Sequence, residues 1–70
     1  MTRDEWIAEF ASELGIGPPA KEEVDALLEL AAIAAHASER TAAPLACWLA
    51  GRAGMPLGRL KKLAEEVGEQ

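Results

Sequence analysis

The residues of this 70-residue chain that could do chemistry are few: one histidine, His36, and one cysteine, Cys47. Histidine changes charge near neutral pH, so His36 is the first candidate for acid–base work. In a helix it stands beside Asp25, Glu29 and Ala32, with Arg40 one turn further on. A metal site asks for more ligands at helical spacing, and there is neither a second histidine nor a ligand near Cys47. General-base work needs a substrate pocket of about several hundred Å³, for which so short a chain leaves little room. The spacing therefore assigns no catalytic residue, no metal and no cofactor. It casts His36 as a hydrogen-bonded residue at the corner between two helices.

Arg40 and Thr41 stand directly before "AAPL". A helix start offers free backbone N–H groups and the positive end of a dipole, which suit an anion. Arg52, with Arg59 and Lys62, would approach from the neighbouring turn. His36, Arg40, Thr41 and Arg52 thus form a candidate ligand-binding set for a phosphate-bearing small molecule, a nucleotide or molybdopterin derivative. Against it, no glycine-rich phosphate loop is present, and Arg40 is equally placed to pair with Glu39, Glu29 or an acid on the first helix. Cys47 lies among alanines and reads as a packing residue without redox function.

Charge divides the chain. Residues 1–39 carry a balance of −7 and residues 40–62 carry +5 with no acid, within a total of −5. The overall sign argues against a general nucleic-acid partner, which requires phosphate neutralisation. The asymmetry either steers a partner or lets the two halves attract one another across the fold. No segment approaches membrane-spanning length, no basic apolar leader opens the chain, and a single cysteine asks for no oxidising compartment. A cytoplasmic protein is expected.

The elements that position these residues are helices. Alanine, leucine and glutamate dominate, and no segment alternates with period two. "TRDE" opens the first helix with Thr2 and Glu5 in capping-box spacing; Trp6, Ile7, Phe10 and Leu14 share a face, and Gly15 closes it. The second helix runs from Ala20 to Ser38. Val24, Leu27, Leu28, Ala31 and Ala35 make one apolar stripe, and Ala26, Leu30, Ile33 and Ala37 make another nearly opposite. A helix apolar on two faces is either the central element or one that continues into a dimer interface. Thr41 caps a third helix, Ala42 to Ala53, with Pro44 in its first turn. Leu45, Trp48 and Leu49 are its bulky face; Ala43, Ala46, Cys47, Ala50 and Gly54 form a small-residue face that fits close against Ala31, Ala34 and Ala35. The fourth helix, Leu57 to Val67, is read with Leu57, Leu60, Leu63, Ala64 and Val67 inward, and Gly68 to Gln70 as a frayed end. The expected fold is all-α, a single compact four-helix domain over 1–70 with helix 2 central.

Trp6, "ELG" at Glu13 to Gly15, "AAHASER" and "TAAPLACWLAGRAG" together resemble a small bacterial helical domain family of uncharacterised function. Its members occur alone or as a C-terminal extension of molybdenum-cofactor guanylyltransferase-like proteins. The most specific residues are Ala35, His36, Arg40, Ala43, Pro44, Leu45, Trp48, Leu49 and Gly51. Cys47 and Trp48 stand where the family pattern has a hydroxyl residue and phenylalanine, which removes a polar role from position 47. The resemblance assigns no catalytic residue and implies an accessory role near molybdenum-cofactor nucleotide biosynthesis by association alone.

Fifteen of the 35 apolar residues are alanine, and a core of that kind supplies roughly 3–5 kcal/mol. Stability then calls for association. The expected function is a non-catalytic interaction or accessory module that forms a homo-oligomer, a dimer, or docks onto a nucleotidyltransferase-type protein. Trp6, Leu30, Ile33 and Trp48 are the candidate interface residues.

Overall fold

The structure, a computed structural model, describes residues 1–67, and the expected frayed end lies outside them. The first helix, α1 (Arg3–Leu14), starts where local chemistry requires it. The Glu5 amide donates to Thr2 Oγ1 at 3.1 Å, and the Thr2 amide donates to Glu5 Oε1 at 2.8 Å. Each satisfies an N–H that the first turn leaves without a partner. The Thr2 amide also holds the Glu5 carboxyl below the usual carboxylate range. Gly15 ends the helix at φ 76°, a left-handed conformation that glycine adopts without strain.

The second helix, α2, runs Lys21–Ala37. Ala20 stands at its cap, and its amide donates to Glu23 Oε1 at 2.7 Å. At the other end Ser38 Oγ donates to the Ala34 carbonyl at 3.0 Å. The third helix, α3 (Ala42–Ala53), has the bounds read from the sequence, and Gly54 closes it at φ 65°. The fourth, α4, covers Leu57–Val67, also as read. No strand is present among the described residues.

These helices make one compact unit with α2 as its hub: α2 packs against both α3 and α4, and no other pair of helices has comparable contact. Leu30, Ile33 and Ala37 of one α2 stripe look into the space between α3 and α4, while Leu27 of the other meets Cys47 of α3 and Leu28 stays exposed. On α3 the face turned inward is the small one. Ala43, Ala46 and Cys47 are half-buried and Ala50 is 7% exposed. Cys47 Sγ lies 3.9 Å from the Leu27 carbonyl, a weak S–H···O contact that only a close backbone approach permits. On the α4 side Leu57, Leu60 and Ala64 are half-buried, and Leu30 of α2 is buried at 5%. Taking a leucine side chain out of water stabilises by about 1.5–3 kcal/mol.

Two expectations need correcting. Leu63 and Val67 do not close inward with the rest of α4; they are 39% and 68% exposed and face the space between α3 and α4. Both helices lean on α2 and not on each other, so that space stays open. Thr41 occupies the cap position of α3, but its hydroxyl makes no capping bond; it donates to Glu39 Oε1 at 3.0 Å. Of the α1 face, Ile7 is half-buried, whereas Trp6, Phe10 and Leu14 are 49–57% exposed.

Ala50 is 7% exposed at the close α2–α3 approach, which leaves little room toward α2. Replacing Ala50 with leucine will cost about 1–3 kcal/mol of stability, which in so small a protein lowers the melting midpoint by roughly 4–8 °C per kcal/mol. The same replacement at the exposed Ala32 will leave the midpoint near that of the parent. Thermal unfolding followed by circular dichroism measures both, and equal melting of the two variants would refute this packing.

Candidate functional site

The polar set at the α2–α3 corner does not assemble. His36 is exposed in the last turn of α2, and its ring makes no hydrogen bond among the described residues, so it does not hold the corner together. Arg40 is exposed and pairs with no acid among them. Arg52 lies at the far end of α3, eleven residues beyond Thr41, which separates the two by about 16 Å along the axis. There its guanidinium stacks on the Trp48 ring, 4.8 Å from the centroid.

The start of α3 is also poor ground for an anion. The Ala42 amide already donates to the Glu39 carbonyl at 2.9 Å, and that of Ala43 to the Arg40 carbonyl at 3.1 Å. Pro44 has no N–H to offer. The carboxylate of Glu39, held against Thr41, adds a negative charge at the same place. Among the described residues no group of three or more His, Cys, Asp or Glu side chains is placed to hold a metal ion.

The acid expected beside Arg40 has another partner. Glu29 of α2 accepts from Lys61 Nζ of α4 at 2.6 Å. This pair joins the acidic and basic parts of the chain across the fold, and the hydrogen bond to Glu29 raises Lys61 above the usual lysine range. Both side chains remain about half exposed, so solvent screens the attraction.

What the fold does build is an apolar groove. It runs between α3 and α4, over a floor supplied by α2. Leu45 and Leu49 form one wall and Leu63 and Val67 the other; Leu30 and Ile33 contribute from beneath. Leu45 is 66% and Leu49 60% exposed. On a helical wheel Arg52 flanks the α3 wall, one turn from Leu49, and Arg59 flanks the α4 wall, one turn from Leu63. Of the four candidate interface residues, Ile33 lines this groove. Leu30, 5% exposed, lies at its floor. Trp48 is 61% exposed beside the groove.

A second apolar surface lies on α1. The rings of Trp6 and Phe10 pack at 5.2 Å between centroids, and Leu14 continues the ridge one turn on. Glu9 and Glu13 flank it. The inner side of α1, with Ile7 and Ala8, borders Pro18, Pro19 and Val24 at the start of α2. The groove was legible in the sequence only as apolar positions in excess of what one helix needs; nothing in their spacing said which neighbour would be missing.

The model of a protein family described as a domain of unknown function, DUF6457, matches residues 1–70. No curated protein and no solved structure matches the chain. No helix among the described residues is long and apolar enough to cross a membrane.

The Glu29–Lys61 contact makes its own prediction. Lys61→Glu will place two carboxylates together and lower the melting midpoint, and Glu29→Lys combined with Lys61→Glu will restore most of the loss. Because the Lys61 pKa is raised in the folded state, the pair's contribution is present at neutral pH and disappears as pH rises through that raised value. Melting curves at neutral and strongly alkaline pH will therefore show the K61E deficit shrinking at the alkaline end.

Proposed function

The chain belongs to the DUF6457 family, whose function is unknown, and from that premise we propose that it is a non-catalytic interaction module that self-associates through the groove between α3 and α4. The observation that carries this is the groove itself: large apolar side chains stand in water on both walls while the interior holds little besides Leu30. Extended apolar surface of this kind on a small protein marks a docking site.

The resemblance to domains fused with molybdenum-cofactor guanylyltransferase-like proteins supplies a setting. In it the module is an accessory that joins copies of such an enzyme or docks upon it. A helical attachment with an apolar groove is suited to either task, since an amphipathic helix laid into a groove is a common mode of recognition.

Sedimentation equilibrium from low micromolar to several hundred micromolar tests the reading. A concentration-dependent dimer is expected, with methyl resonances of Leu45, Leu49 and Leu63 shifting as it forms and those of Leu27 staying constant. A stable, well-folded monomer throughout would overturn self-association.

A further inference from the structure

Which surface fills the groove is answered by the rest of the molecule. We infer that the occupant is helix α1 of a second copy, its Trp6–Phe10–Leu14 ridge lying between α3 and α4, with the exchange made reciprocally in a two-fold dimer. The inference rests on the self-association proposed above and names its partner surface.

Length fits first. α1 and α3 have twelve residues each and α4 has eleven, so at 1.5 Å per residue all three are about 17–18 Å long. One helix can fill the groove from end to end. The ridge is apolar at every fourth position over two turns, which presents three large side chains along one line.

Charge fits second. Glu9 and Glu13 border the ridge, and neither has an ion-pair partner among the described residues. Arg52 and Arg59 border the groove walls and likewise have none there. Both acids stand on the same side of the ridge, so seating it brings them to cations along one edge. Complementary rims of this sort favour the right partner and register more than raw affinity. They also disfavour groove-to-groove pairing, which would face arginine with arginine.

The chain's own α1 does not serve. The inner side of α1 borders a cleft that it shares with Pro18, Pro19 and Val24 at the start of α2, whereas the groove lies over Leu30 to Ala37, toward the other end of that helix. The molecule is 39 Å long and about half as wide. Two elongated copies lying side by side with opposite sense can each offer α1 where the other has its groove, and a two-fold axis makes both junctions identical.

Area fits last. The chain exposes 5576 Å², while compact monomers of 7.4 kDa follow a scaling that gives about 4,200 Å². The excess of about 1,400 Å² is larger than the roughly 800 Å² that each partner contributes to an ordinary specific interface.

The test uses Phe10→Glu, which spoils the ridge, and Leu49→Glu, which spoils the groove. Both positions are exposed in the single chain, at 49% and 60%, and circular dichroism confirms that each variant keeps its helices. Each alone will weaken the dimer by about tenfold or more in sedimentation equilibrium. An equimolar mixture will recover dimer, because one intact ridge then meets one intact groove. Recovery of a heterodimer at least about tenfold tighter than either variant's homodimer supports the inference. Loss in L49E with an unchanged dimer in F10E overturns α1 as the occupant while leaving the groove as the interface. Loss in both without recovery on mixing overturns the reciprocal exchange. A wild-type protein that stays monomeric overturns the inference together with the self-association beneath it.

Discussion

The close contact between α2 and the small-residue face of α3 is the constraint on which the rest of the structure depends. Alanine at positions 43, 46 and 50 lets the two backbones approach until Cys47 reaches the Leu27 carbonyl. A helix has only one side to give to such a contact. Once α3 gives its small side to α2, its large residues must point elsewhere, and Leu45, Trp48 and Leu49 point to solvent. α4 packs on α2 beside α3, with Leu63 and Val67 left outside. The open groove is a consequence of how the hub is built.

Electrostatics adds orientation without adding much stability. The acidic first half and the basic stretch that follows meet inside the chain at one point, Glu29 with Lys61. That pair is half-exposed and screened, so it guides α4 onto α2 more than it holds it there. Glu9 and Glu13 of α1, and Arg52 and Arg59 of α3 and α4, have no ion-pair partner among the described residues. Sign asymmetry along the sequence has thus become sign asymmetry in space.

How much of this was legible in advance depended on the range of the cause. Helix ends were legible because their causes are local: Thr2 with Glu5, Gly15 and Gly54 act within one turn. The small face of α3 was legible because a face is a matter of spacing. Thr41 misled, since Glu39 two residues earlier takes its hydroxyl and no spacing rule ranks those two choices. Leu63 and Val67 misled because periodicity names the apolar side of a helix and not what will cover it. Arg52 was grouped with Arg40 as approaching from the neighbouring turn, although the length of α3 holds them at opposite ends; the rise per residue alone separates them. The groove depends on α3 and α4 each packing on α2 more than on one another, a property of three helices together.

A chain whose only large buried side chain is Leu30 among the described residues gains little from its own interior. Any surface that binds the folded form and not the unfolded one adds to stability by mass action. For this protein the apolar groove is the largest store of such energy, because the burial that the interior lacks is held there in reserve. In the proposed dimer, association and folding draw on the same leucines. A substitution in the groove acts on both, whereas one on the ridge of α1 leaves the packing around α2 untouched and acts on association alone. That asymmetry is what allows the two to be separated in a protein this small.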